Sequence, residues 1–307
     1  MSSPRFSPRL CDAPRSPTRV RIAVIGDIHF DWDETDLAYF DGSDYDLLLF
    51  VGDLAKYAHS GGLRVAESLS RLSRPTLVIP GNHDGVRALQ LLAEISGNRP
   101  MIRLLGRGQR RRCAALRRAL APISMVGYSR HEYSVRGLDF AILAARPHSM
   151  GGPALGCAPY LRRAFGVGSM EESAERLKDL VDECSAERIV FFAHNGPTGL
   201  GEGRGDIWGR DFRPEAGDFG DPDLRIAIDH ARARSKKILA VVAGHMHHAL
   251  AGGGERRWLV KREGLLYINA ARTPRIFLRG GQRLRHHVAL ETDGCRTMAE
   301  EVLIPAG

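Results

Sequence analysis

Leu77-Val78-Ile79-Pro80-Gly81-Asn82-His83-Asp84 joins an apolar run to polar, ligand-competent residues through a Pro-Gly pair. This is the pattern of a buried strand that delivers chemistry at its C-terminal tip. Gly81 allows the sharp turn that lets Asn82 and His83 reach one site. A Gly-Asn pair is also an ordinary turn signal, so the stretch gains its meaning from the rest of the chain. Four other apolar runs end the same way. Val20–Ile25 is followed by Gly26-Asp27-Ile28-His29, and the run ending at Val51 by Gly52-Asp53. The run ending at Ala193 is followed by His194-Asn195, and the run ending at Ala243 by Gly244-His245-Met246-His247.

Between these strands lie segments with helical spacing: Gly62–Leu72, Val86–Ile95, Arg103–Leu120, Glu171–Cys184 and Asp223–Ser235. Ile123–Val126 and Asp139–Ala144 read as further strands. From Arg257 onward the spacing predicts antiparallel strands at Trp258–Arg262, Leu265–Asn269, Arg285–Glu291 and Arg296–Leu303. Two stretches, Arg146–Gly168 and Thr198–Asp221, show no period and read as long functional or mobile loops. Alternating strands and helices predict an α/β fold, largely parallel, with an antiparallel tail. No internal repeat or second-domain linker is visible, so residues 20–307 are expected to form one domain.

The 307 residues are 43% hydrophobic and carry a formal net charge of +8. No apolar run approaches the ~18 residues of a membrane span, and no membrane partner is expected. Residues 1–19 are Ser-, Pro- and Arg-rich and read as a disordered leader. Without a long apolar segment it is not a secretory signal, although its composition also fits an organelle transit peptide. A cytoplasmic location, or an organelle stroma if the leader is such a peptide, is the expectation. Five scattered cysteines argue against a disulfide framework, and Cys157 and Cys184 are expected to be inert. Part of the positive charge falls between Arg99 and Arg118, where no acid appears. This is either a solvated helix face or, through Arg103–Arg118, a contact for nucleic acid.

The strand ends offer Asp27, His29, Asp53, Asn82, His83, His194, His245 and His247, all oxygen or nitrogen donors. That chemistry suits Mn, Fe or Zn and disfavours a thiolate-held structural zinc. Seven candidate ligands (Asp27, His29, Asp53, Asn82, His194, His245 and His247) exceed what one ion takes and suggest two metals sharing a bridge. Two divalent ions bring about +4 charge, of which Asp27 and Asp53 remove two. The remainder would attract a phosphate and a bridging hydroxide. Ions ~3.5–4 Å apart clamp both oxygens of an in-line displacement at phosphorus. His83 could protonate the leaving group, with Asp84 orienting it; Asp84 could equally cap the following helix. His248, His286 and His287 read as surface residues. His148 and Lys56 could reach substrate, and Trp208 is a lid aromatic or a loop anchor.

The ordered series Asp27-x-His29, Gly52-Asp53, Gly81-Asn82-His83-Asp84, His194 and Gly244-His245-x-His247 resembles the calcineurin-like metallophosphoesterases, from about Val20 to about Ile268. The resemblance implies a four-layer α/β/β/α sandwich with two metal ions at the strand tips. It implies that Asp27, His29, Asp53 and His247 hold one ion. Asp53, Asn82, His194 and His245 would hold the other, with Asp53 bridging and His83 as proton donor. The phosphoprotein-phosphatase branch has Asp-Arg-Gly after its second motif and Glu after Gly-Asn-His. Here Leu54-Ala55-Lys56 and Asp84 stand instead, which counts against a serine/threonine phosphatase. The lipid A pathway hydrolases have Arg where His83 stands. A little-characterised bacterial and plastid branch is the most similar. The expected function is hydrolysis of phosphomonoesters or phosphodiesters by a metal-held hydroxide. A nuclease or cyclic-nucleotide phosphodiesterase, and a non-catalytic metal-binding scaffold, are the alternatives.

Overall fold

A computed structural model describes residues 19–56, 59–213 and 215–305. The leader expected at residues 1–19 therefore lies, save Arg19, outside the described residues. In chain order the first half contains β1 (Val20–Ile25), α1 (Glu34–Gly42), β2 (Leu47–Phe50), α2 (His59–Leu69), β3 (Thr76–Val78), α3 (Ala88–Ile95), α4 (Arg99–Leu105), α5 (Gln109–Leu120), β4 (Ser124–Met125), β5 (Ser129–Val135) and β6 (Leu138–Ala144). The second half contains α6 (Ala158–Phe165), α7 (Met170–Asp182), β7 (Arg188–Asn195), α8 (Pro222–Ala233), β8 (Lys237–Gly244), β9 (Leu259–Arg262), β10 (Leu265–Asn269), β11 (Ile276–Arg279), β12 (Gln282–Thr292) and β13 (Thr297–Pro305).

The strands form two mixed sheets. One has the order β11-β12-β1-β2-β3-β4, with β13 also paired to β12. The other has the order β5-β6-β7-β8-β10-β9. Strands β1 to β4 run parallel, as do β6, β7, β8 and β10. Successive residues of a strand point to opposite faces, and both faces of these strands are apolar. Ile22, Val24, Leu49 and Ile79 of the first sheet meet Phe140, Ile142, Phe192 and Val242 of the second between the sheets. The alternate residues Ile25, Leu48 and Phe50 pack outward on Leu37 and Phe40 of α1, Val65 and Leu69 of α2, and Leu116 and Leu120 of α5. Leu143, Phe191, Val241 and Tyr267 pack outward on Leu161 of α6, Leu177 and Leu180 of α7, and Leu224 and Ile228 of α8. The result is the four-layer α/β/β/α sandwich.

Several expectations need correction. The Arg103–Leu120 segment is not one helix. It ends α4, passes through a 3-10 turn at Gly106–Gly108 and restarts as α5, because two glycines in three residues cost helix stability. Arg146–Gly168 is not wholly irregular, since it contains α6 with a proline in its first turn. The tail is not uniformly antiparallel: β10 adds to β8 in parallel and β9 to β10 antiparallel, completing the second sheet. The tail then crosses to complete the first sheet with β11 to β13. His248, His286 and His287 are not surface residues but buried. His286 and His287 are consecutive on β12, a strand covered on both sides, so neither parity reaches solvent. Each ring has a partner: Asn269 O at 2.8 Å for His248, Glu301 Oε1 at 3.0 Å for His286 and Tyr45 Oη at 2.8 Å for His287.

A buried ionic cluster ties the tail to the first helix. Asp36 lies 2.5 Å from Arg275 and 2.6 Å from Arg285, and Arg285 also reaches Asp33 at 2.8 Å. Asp33 itself caps α1, accepting from the amides of Thr35 and Asp36. Removing one charge from such a cluster leaves the others unpaired in a low-dielectric interior. Asp36→Ala is therefore expected to cost about 3–5 kcal/mol in urea unfolding. Glu34→Ala, which breaks the exposed pair with Arg71, should leave the midpoint nearly unchanged.

Candidate metal centre

The C-terminal ends of β1, β2, β3, β7 and β8 converge at one edge of the sandwich, and each contributes to one constellation. Parallel strands end together, so the loops that follow them share a rim. These loops turn abruptly. Asp27, His29, Asp53 and His245 have φ of 28°, 43°, 52° and 70°, the left-handed region that non-glycine residues rarely occupy. Such conformations cost about 1–3 kcal/mol each and cluster where a site demands them. Close approach adds a requirement for glycine. A Cβ on Gly81 would fall 2.2 Å from Asp53 Oδ1 and 2.5 Å from His194 Cε1. One on Gly244 would lie 2.6 Å from Val51 Cγ2 and 2.9 Å from Asp27 Oδ1.

Two groups of ligand atoms form, each within 4.8 Å: Asp27, His29 and His247, and Asp53, His194 and His245. Asp53 Oδ2 stands between the groups, 3.8 Å from His29 Nε2 and 3.6 Å from His194 Nε2. Its Oδ1 accepts from the His83 amide at 2.8 Å. Asp27 Oδ2 is 3.6 Å from His247 Nε2 and accepts from the His245 amide at 3.1 Å. Asn82 Oδ1 is 2.9 Å from His194 Nε2 and 3.0 Å from His245 Nδ1. All seven expected ligands are thus brought together, and His83 and Asp84 adjoin them.

The donor set fits cations. His29 Nδ1 donates to Ala55 O at 3.0 Å, and His194 Nδ1 donates to Val51 O at 2.6 Å. A carbonyl can only accept, so each neutral ring presents an Nε2 lone pair to the site. His29 Nε2 lies 3.2 Å from His247 Nε2, and His194 Nε2 faces an amide oxygen. Among the described residues, the ion-pair partners of Asp27 and Asp53 are histidines. Buried carboxylates and converging lone pairs without Lys or Arg are what a multivalent cation satisfies. The electrostatics agree. Burial, then the neighbouring Asp53 charge, holds the Asp27 carboxyl well above the usual range. Asp53 is driven well below it: the surrounding His194, His83 and His29 outweigh its burial.

His83 and Asp84 occupy different environments. His83 packs edge-on against His29, ring centroids 5.2 Å apart, and its Nδ1 donates to Lys56 O. Asp84 is buried and accepts from the amides of Gly81 at 2.9 Å and Ala55 at 3.1 Å. It braces two ligand loops, and the helix cap is Arg87 instead. Burial and the Asp53 charge raise its carboxyl to about 7. His148 is fully buried and lies under the turn, its Nδ1 donating to Gly81 O at 3.0 Å. Trp208 anchors its loop, buried with its Nε1 donating to Gly244 O at 3.3 Å. Sequence reasoning missed Arg146, Asp221 and Asp223. The buried Arg146 pairs with Asp221 at 3.0 Å and Asp223 at 2.9 Å, and Asp221 accepts from Ser149 and Asn195. This network fixes the two long loops beside the site; its one signal was acidic residues beside a proline at a helix start.

A cleft of about 1880 Å³ opens from Asn82, His245 and His247 toward α3, α4 and α6. Among the described residues, no helix is long and apolar enough to cross a membrane.

The chain matches the family model described as calcineurin-like phosphoesterase over residues 20–249. Among solved structures it is similar to the protein TT1561 of Thermus thermophilus, at 13% identity and a TM-score of 0.52, covering 92% of this chain and 99% of that one. It is also similar to a protein described as a novel archaeal phosphodiesterase, at 11% identity and a TM-score of 0.39, covering 93% and 100%. No match is found among curated proteins.

Six buried histidines, His29, His148, His194, His248, His286 and His287, are all held below the usual imidazole range, chiefly by burial. Unfolding lets each take up a proton below pH ~6.5, so their contribution is lost as pH falls through that value. Buried Asp27, Asp84 and Asp221 are raised and act in the opposite sense. Six groups against three make the histidines win. Urea midpoints of chelator-treated protein are expected to fall steadily from pH 7 to pH 5; a midpoint that rises over that range would contradict the assignment.

Proposed function

The chain belongs to the calcineurin-like phosphoesterase family, whose members are metal-dependent phosphoester hydrolases, and from that premise we propose which residues carry the reaction here. Asp27, His29, Asp53 and His247 hold one cation; Asp53, Asn82, His194 and His245 hold the second. The single observation that carries the reading is Asp53 Oδ2, poised within 4 Å of imidazoles from both groups. Two bound cations, Mn, Fe or Zn, supply Lewis acidity for the phosphoryl oxygens and an activated water.

The protein's own residues do the rest. Val51 and Ala55 carbonyls fix the tautomers of His194 and His29, so lone pairs rather than N–H groups meet the cations. The His83 amide holds Asp53 by its other oxygen, which keeps Oδ2 turned to the centre. Lys56 O fixes the His83 tautomer, making Nε2 the atom that takes up and gives back a proton. Protonated His83 then donates to the leaving oxygen. Asp84 fixes the Gly81 and Ala55 loops relative to each other and so positions both His83 and His29. Exposed Arg99, Arg103 and Arg107 along the cleft favour an anionic substrate.

Protein stripped of metal and reloaded with Mn²⁺ is expected to hydrolyse p-nitrophenyl phosphate or its bis-ester. Asp53→Asn and His245→Ala should each abolish turnover and lower bound metal by mass spectrometry; full activity in both would refute the assignment. His83→Ala should retain metal yet lose about 10²–10⁴ in kcat. That loss should be larger for an alkyl phosphate than for p-nitrophenyl phosphate, because a poor leaving group needs the proton more.

A further inference from the structure

A surface helix ordinarily buries its apolar residues and exposes its polar ones. Helix α3 does the reverse. Leu89, Leu92 and Ile95 are 63%, 61% and 55% exposed, while Gln90 between them is 1% exposed. Gln90 is held inside by Gln109 at 2.7 Å and Arg112 at 2.8 Å, so the helix cannot simply roll over. The following helix, α4, continues the pattern with Met101 and Leu104 exposed. Five of the ten exposed large apolar residues fall within these two short helices. Patches of this kind mark a surface that something covers.

Charge selects the cover. From Arg87 to Arg118 there are nine arginines and one acid, Glu94. Arg99 and Arg103 are exposed on α4, Arg107 on the turn after it, and Arg110, Arg111, Arg117 and Arg118 on α5. A second copy of the chain meeting this face symmetrically would set arginine against arginine. Nucleic acid would answer the charge but not the aliphatic side chains, since bases stack on aromatic rings. Leucine, isoleucine and methionine flanked by arginine match the boundary between acyl chains and anionic headgroups.

We propose that α3 and α4 seat the protein on a bilayer bearing anionic lipid. Such a seat needs no membrane span; the helices lie in the surface, their leucines in the acyl boundary and their arginines at the headgroups. It also orients the site. Ile95, Ile102, Arg103 and Arg107 of this region form one wall of the cleft that leads to Asn82, His245 and His247, so the cleft mouth adjoins the lipid surface.

Vesicle flotation tests the seat. Full-length protein is expected to float with phosphatidylcholine vesicles containing about a third phosphatidylglycerol and not with pure phosphatidylcholine. The triple variant Leu89→Glu/Leu92→Glu/Leu104→Glu should float at least about tenfold less. These side chains are exposed and outside the cleft lining, so turnover of p-nitrophenyl phosphate should be unchanged and reports that the variant is folded. Asp53→Asn should float like the wild type, which separates this test from the phosphoesterase assignment. Failure to float with anionic vesicles, or equal flotation of the triple variant, would overturn the proposal. So would a dimer in sedimentation that the triple variant dissociates while vesicle binding is absent.

Discussion

Two carboxylates, Asp27 and Asp53, are buried at the same edge of the sandwich with imidazole nitrogens around them and no lysine or arginine ion-paired to either among the described residues. Burying an ionised carboxylate is costly unless a partner is supplied, and the carbonyls of Val51 and Ala55 remove the option of imidazole N–H donors at His194 and His29. The arrangement is self-consistent only around positive charge. Much else follows from this constraint: the left-handed turns at the ligands, the glycines at positions 81 and 244 that let loops pack to contact distance, and the loop-bracing Asp84.

The scaffold supplies the rigidity this demands. Residues of one parity along each parallel strand fill the space between the sheets and those of the other parity hold the outer helices, so the strand tips are fixed from both sides. The loops beyond them are pinned by charge rather than by apolar packing. Arg146 with Asp221 and Asp223 fastens the loops next to His194, and Arg275 and Arg285 with Asp36 fasten the tail to α1. Buried ion clusters contribute little net stability compared with apolar substitutes, but they specify one geometry, which is what ligand loops need.

The core strands were legible because their apolar runs end in polar residues, and the constellation was legible because each donor follows such a run within two or three positions. Other features depend on partners distant in sequence. Nothing local in Arg285-His286-His287 says that β12 is covered on both sides, so two consecutive buried histidines read as surface. Ile276–Arg279 forms a strand only because Gln282–Arg285 pairs with it. The reversed polarity of α3 was invisible for the same reason. Its spacing was amphipathic, but which face turns inward is decided by Gln109 and Arg112 on α5. Asp84 shows a local ambiguity: its position before a helix suggested a cap, whereas its carboxylate serves the amides of Gly81 and Ala55.

The crossing of the tail from one sheet to the other has a consequence for how the protein is made. Asp27 and His29 emerge early in synthesis, yet His245 and His247 follow some two hundred residues later, and β12, the neighbour of β1, comes later still. A growing chain on the ribosome therefore carries unpaired carboxylates and imidazoles long before either cage can close. Metal capture becomes a step of maturation that follows translation, open to whichever ions and carriers the finished chain first meets.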